Sequence, residues 1–292
     1  MRIRIGINPL TWSNDDLPAL GADIGLETCL REAAAAGYEG VELGHKFPRH
    51  ADELTPVLAR FRLALVSGWY SLRLCERSVE EEFGAMQGHL ALLRALGCEI
   101  VICAEVTGCI HGDVNARLSG RPRLSPRALE DFGRRLSELA ERIHAADLRL
   151  AYHPHMGTVV QSEVDVDRLM STTEPAVALL LDTGHLLFAG GDPIRIAEKH
   201  AARITHLHCK DVRPDVLRRC LNGDTSFLEA VLQGVFTVPG DGCIDFERVL
   251  APLLAQGYSG WIVVEAEQDP TIANPVANAK LGFETLRRLI RD

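Results

Sequence analysis

Short apolar runs recur along the chain, and longer stretches with apolar positions at helical spacing lie between them. The runs Ile3–Asn8, Gly40–Leu43, Leu63–Ser67, Ile100–Ala104, Leu148–His153, Ala178–Asp182, Ile204–His208 and Gly260–Glu265 read as eight strands. Several, such as VALLLD and WIVVE, lack a polar alternation, as expected of parallel strands covered on both faces. Leu26–Ala36 reads as a helix stopped by Gly37, and Glu80–Leu96 as one stopped by Gly97. Ser125 and Pro126 supply a cap and a first-turn proline for a helix running to about Ala146. Phe246–Gln256 and Asn278–Ile290 complete the helical set. Strand–helix alternation repeated eight times predicts an α/β fold, a closed (β/α)8 barrel, with residues 1–292 as one domain. The longest irregular insert spans Lys210–Cys243, and a loop of that length in a compact domain is often functional.

Composition narrows the class. With 292 residues, 47% hydrophobic and 24% charged, the chain has ample material for a large core. A formal net charge of -9 argues against a nucleic-acid partner, which calls for a basic face. The stretch Arg117, Arg121, Arg123, Arg127 reads as a solvated loop entering a helix. Eight scattered cysteines form no C-x-x-C pair and read as reduced thiols of a cytoplasmic protein. The opening MRIRIGINPL is read as a strand and not a targeting segment, and no apolar stretch approaches the roughly 20 residues of a membrane helix. No phosphate-binding GxxxxGK[ST] loop, no GxGxxG after the first strand and no GxSxG elbow occurs, so neither a nucleotide cofactor nor a serine nucleophile is indicated. The oligomeric state is left open, a homo-oligomer included.

Barrel active sites form where strands end, so the chemistry is sought there. The first strand ends in Asn8; the second brings Glu42, then His45 and Lys46. The fifth gives His153 and His155, the sixth Asp182 and His185, the seventh His206, His208, Lys210 and Asp211, and the eighth Glu265 and Glu267. Carboxylates crowded around one barrel mouth repel one another unless a cation is present, and a divalent ion with mixed oxygen and nitrogen ligands resolves this. Each position also has a plainer reading: Asp182 suits a cap before Thr183 and Gly184, and His153 and His208 can be satisfied core histidines. Glu265 can be a buried ion-pair partner, and His206 is read as structural.

The segments GINPLTWSNDDLPALGADIGLETCL, GYEGVELGHKFPR, YHPHMGTVVQ, LDTGHL, HLHCKDVR and VVEAEQDP resemble the inosose dehydratases, within the xylose-isomerase-like TIM barrel superfamily, over essentially the whole chain. The resemblance implies dehydration of 2-keto-myo-inositol (scyllo-inosose) to a trihydroxycyclohexane-dione. It implies one divalent metal, Mn2+ or Co2+, and a glutathione requirement for which the sequence identifies no site. It also implies metal ligands: Asp182, His208 and Glu265 match the superfamily's site by residue type, whereas His153 stands where strand five of the superfamily carries glutamate. The fourth ligand is therefore open among His153, His155 and water. Glu42 and His155 are the candidates for general base and acid, with Lys46 and Lys210 as alternates. The competing readings are a keto-sugar epimerase or isomerase, a metal-dependent abasic-site endonuclease and a non-catalytic sugar-binding barrel.

Overall fold

A computed structural model describes residues 2–290. Eight parallel strands close into a barrel in sequence order: β1 (Ile3–Ile7), β2 (Gly40–Leu43), β3 (Ala64–Leu72), β4 (Ile100–Glu105), β5 (Arg149–Tyr152), β6 (Ala178–Asp182), β7 (Ile204–Cys209) and β8 (Gly260–Val264), with β8 pairing back on β1. Helices fill every crossover, as right-handed βαβ units require. The expected (β/α)8 barrel is the fold found. No helix among the described residues is long and apolar enough to cross a membrane.

Period-two alternation sorts each strand into two faces. Outward residues such as Val41, Val101, Leu150, Leu179, Leu181, Leu207 and Ile262 join the large core beneath the helices. Inward residues build a separate interior: Val66, Trp261 and Val263 on one side, Ile100, Ile102, Ala151 and Leu180 on another. One more inward step along β5, β6, β7 and β8 reaches His153, Asp182, His208 and Glu265. The interior thus changes from hydrocarbon to polar groups within one layer of side chains.

Four expectations need correction. The helix expected over Glu80–Leu96 is broken at Met86 into Val79–Ala85 and Gln87–Ala95, in a segment weakened by Gly84 and Gly88. The insert Lys210–Cys243 is not irregular: it folds into helices Pro214–Gly223 and Phe227–Leu232 and an antiparallel pair of Asp211–Val212 with Phe236–Thr237. Its period was masked by shortness, since neither helix exceeds three turns. Arg121 is no solvated loop residue; it is buried, donates to the carbonyls of Thr158 and Val159 and pairs with Asp165 at 2.6 Å. β3 runs five residues past its apolar run, with a register shift opposite Val41–Leu43, and that extension carries Trp69 and Ser71 to the barrel mouth.

A candidate metal centre at the barrel mouth

Strand register assembles the site. Asp182 lies beside His208 across the β6–β7 pair, Val263 beside His208 across β8–β7, and Glu265 follows β8 with its amide bonded to the carbonyl of Cys209. His153, Asp182, His208 and Glu265 are all buried, and one ligand atom from each lies within 4.8 Å of the others. His208 Nδ1 is 2.7 Å from Glu265 Oε2 and 3.6 Å from Asp182 Oδ2, which is 3.6 Å from His153 Nε2. With metal–ligand bonds of about 2.0–2.2 Å, ligand atoms at octahedral or tetrahedral angles sit about 2.8–3.6 Å apart. The observed spacings of 2.7 and 3.6 Å lie at the two ends of that range.

Hydrogen bonding distinguishes the inward atoms of these residues from their outward ones. Asp182 Oδ2 and His208 Nδ1 are buried and, despite their close neighbours, neither has a hydrogen-bond partner. Nδ1 and the carboxylate oxygens converge on one point; they are not aligned as donor and acceptor. The distal atoms of the same residues are satisfied. Asp182 Oδ1 accepts from the His185 amide, capping the helix Thr183–Phe188. His153 Nδ1 lies 2.9 Å from the carbonyl of Pro154, which can only accept, so Nδ1 carries the proton and Nε2 presents its lone pair inward. His208 Nε2 donates to Glu42, 3.1 Å from Oε2. Each histidine is held in the tautomer a cation needs, the arrangement usual around ligating imidazoles. The donor set therefore fits a divalent ion.

Glu42 is saturated. It accepts from Asn8 Nδ2 at 2.7 Å, Ser67 Oγ at 2.6 Å and His206 Nε2 at 2.8 Å, besides His208. Burial alone raises a carboxyl's pKa, but His208 and His206 outweigh it and hold Glu42 well below the usual carboxylate range. It is a fixed anion behind His208. His206, one layer deeper on the same strand face, completes that network.

Lys210 is fully buried against Glu265 and Glu267, outside the cavity lining. Its ammonium is 2.7 Å from Glu265 Oε1, 3.0 Å from Glu267 Oε1, 3.0 Å from His185 Nε2 and 3.6 Å from Asp182 Oδ2. Burial disfavours its charge, but Asp182, Glu265 and Glu267 prevail and raise its pKa. A further group of potential ligands, His155 with His185 and Glu267, thereby already has the Lys210 ammonium against two of its members. The lysine stem passes so close to Gly184 that a Cβ there would lie 2.6 Å from Lys210 Cγ. Only glycine leaves this slot open.

His155 lines the cavity above the ligands. Its Nδ1 lies 2.8 Å from the carbonyl of Met156 and so holds the proton, leaving Nε2 as a base. Burial first, then His185, His111, His153 and Lys210, push its pKa well below the ordinary histidine value, so the ring is neutral. Lys46 is not at the site. Its ammonium is engaged by the carbonyls of Gly21 and Ile24, where it ties down the loop after β1. Asp211, next to Lys210, takes amide hydrogens from Val212, Gly240, Gly242 and Ile244 and pins that loop.

The cavity has a volume of about 270 Å3 and is lined by His153, His155, His208, Glu265 and Glu267, with Asn14, Asp16, Trp69, Ser71 and His111 around them. Asp16, Trp69, Ser71 and His111 were not among the sequence candidates. They sit on loops or on the unforeseen end of β3, and only a paired polar residue near a strand end signals such positions. A shallower depression of about 670 Å3 opens at the other end of the barrel, around Tyr258 and Trp261, away from the strand C-termini where barrel chemistry resides.

A family model described as a xylose isomerase-like TIM barrel matches residues 30–289. The chain is 52% identical to the rhizopine catabolism protein MocC of Rhizobium meliloti, covering 99% of this chain and 89% of that one. It is 41% identical to the inosose dehydratase of Geobacillus thermodenitrificans, over 98% and 97% of the two chains. Among solved structures, the IOLI protein, determined with a bound zinc atom, superposes with a TM-score of 0.64 at 16% identity over 98% of this chain and 96% of that one.

Proposed function

The chain belongs to the inosose dehydratase family of xylose isomerase-like TIM barrels, and from that premise we propose that it is a metal-dependent lyase removing water from 2-keto-myo-inositol or a close cyclic polyol ketone. The observation that carries the metal is the pair of buried, unpartnered atoms Asp182 Oδ2 and His208 Nδ1 converging with His153 Nε2 and Glu265. These four residues are the proposed ligands, with His153 in the position left open by the sequence. Held by these four residues, a divalent cation would supply Lewis acidity toward a substrate carbonyl oxygen, which would make the neighbouring C–H more acidic.

The rest falls to the chain. His155 Nε2, neutral and unprotonated, is the proposed base for the α-proton. Glu42 is assigned to orienting His208, since its oxygens are already committed to four donors. Lys210 offers a fixed positive charge beside Glu265 and Glu267 that favours negative charge developing on the substrate. The cavity's size suits one small cyclic polyol.

The test is incubation of chelator-stripped, Mn2+- or Co2+-reloaded enzyme with scyllo-inosose in deuterated water. Ultraviolet-absorbing dione is expected with metal and not with chelator. Because the relative at 52% identity is named for rhizopine catabolism, other cyclitol ketones belong in the same panel. Accumulation of an isomeric ketone without loss of water overturns the dehydratase reading in favour of an epimerase or isomerase.

A further inference from the structure

We infer that Asp16 is a catalytic residue of this site, the acid that delivers a proton to the departing β-hydroxyl. The inference rests on the dehydratase reading above, which leaves that acid unassigned once Glu42 is committed to His208.

Asp16 is held into the cavity by a braced loop. Asn14 Oδ1 accepts from the amides of Asp16 at 2.9 Å and Leu17 at 2.7 Å. Asp15 pairs with His45 Nδ1 at 2.7 Å, and Lys46 fastens the loop's far side through the carbonyls of Gly21 and Ile24. The Asp16 side chain lines the same cavity as His155 and Glu267, at its exposed rim, with about a third of it (34%) accessible. Among the described residues its carboxylate has no hydrogen bond; the nearest cationic candidate is His111 Nε2 at 3.7 Å, beyond hydrogen-bond range. His111 is itself wedged against the proposed base, its ring centroid 4.9 Å from that of His155.

The electrostatics support the role. Protein packed behind the carboxyl, then Glu267 and Asp15, push the pKa of Asp16 up to about 7, against the opposing pull of Lys210. His111 is driven down by burial, with Glu267 opposing, so it supplies no strong counter-charge to ionise its neighbour. A carboxyl that keeps its proton near neutrality is suited to general-acid work.

The step balances without a further reactant. The α C–H bond breaks, its proton passing to His155 Nε2 and its electron pair forming the new C=C bond. The β C–O bond breaks, its electron pair leaving with oxygen, which takes the Asp16 proton and departs as water. His155 then returns a proton through solvent to the Asp16 carboxylate.

The Asp16→Asn variant separates acid from scaffold. It should hold its full complement of Mn2+ and still exchange the substrate's α-hydrogen in deuterated water. Dehydration kcat should fall by about 10²- to 10⁴-fold with KM little changed. A β-fluoro ketone analogue, whose leaving group needs no proton, should lose fluoride at a rate close to that of the unaltered enzyme. Dehydration by the variant within about threefold of the unaltered enzyme overturns the inference. So does loss of fluoride elimination to the same degree as loss of dehydration, which marks a merely structural residue. If the unaltered enzyme itself leaves the ketone intact, the dehydratase reading fails and this inference with it; if it dehydrates and the variant does too, the inference alone fails.

Discussion

Replacing Glu42 by glutamine tests whether this buried carboxylate orients a ligand or carries a proton. Its Oε1 faces Ser67, His206 and His208, and its Oε2 faces Asn8 and His208. A glutamine with its oxygen in the Oε1 position keeps three of those donors. Its NH2 then meets the Asn8 amide, which cannot turn freely because Asn8 Oδ1 accepts from Leu10 N at 3.0 Å. The variant loses the negative charge behind His208 and one hydrogen bond, and His208 becomes a weaker, less constrained donor. Loss of such an outer partner typically weakens metal affinity about 10–100-fold, which at about 1.4 kcal/mol per tenfold is about 1.4–2.8 kcal/mol. Titration of chelator-stripped protein with Mn2+, followed by direct binding and by activity, should show the metal curve displaced by that factor. At saturating metal kcat should recover to within about threefold of the unaltered enzyme. A kcat lowered about 10²-fold or more at saturating metal, with metal affinity unchanged, is the signature of a proton carrier and refutes the assignment.

Two further substitutions probe the same centre. Asp182→Asn keeps the cap oxygen toward His185 N but turns an amide hydrogen toward His153 and His208, so metal should be absent by elemental analysis while circular dichroism is unchanged; full occupancy refutes its role as a ligand. His153→Ala should lose metal, whereas His155→Ala should retain it and lose about 10²- to 10⁴-fold in turnover; the opposite pattern exchanges the two histidines' roles.

What could be read from the chain follows from the range of the interactions. The barrel strands announce themselves locally, because parallel strands covered on both faces become unbroken apolar runs, as in VALLLD. Their inward ends are equally local, so His153, Asp182, His208 and Glu265 were legible as a group. The division of labour was not. Glu42 reads like any strand-end carboxylate until its four donors are seen, and they come from β3, from β7 and from the residue just beyond β1. Lys46 lies four residues from Glu42, yet its long stem follows the loop after β1 away from the mouth. Asp16 and His111 come from separate loops over the barrel, and nothing in either segment signals that they face each other. The end of β3 was missed because Trp69 and Ser71 interrupt the apolar pattern where the strand leaves the core.

The slot at Gly184 bears on how this barrel can diversify. Because the Lys210 stem fills the space a methyl group at position 184 needs, the two positions form an interlocking pair. A lineage that keeps the interior ammonium is bound to glycine in the turn after β6, whatever substrate it acquires. Drift at position 184 becomes neutral only after position 210 has shortened, so the order of changes is fixed: lysine is surrendered first and glycine second. Within such a lineage, a side chain at position 184 is a fossil record of a lost cation, readable before any activity is measured.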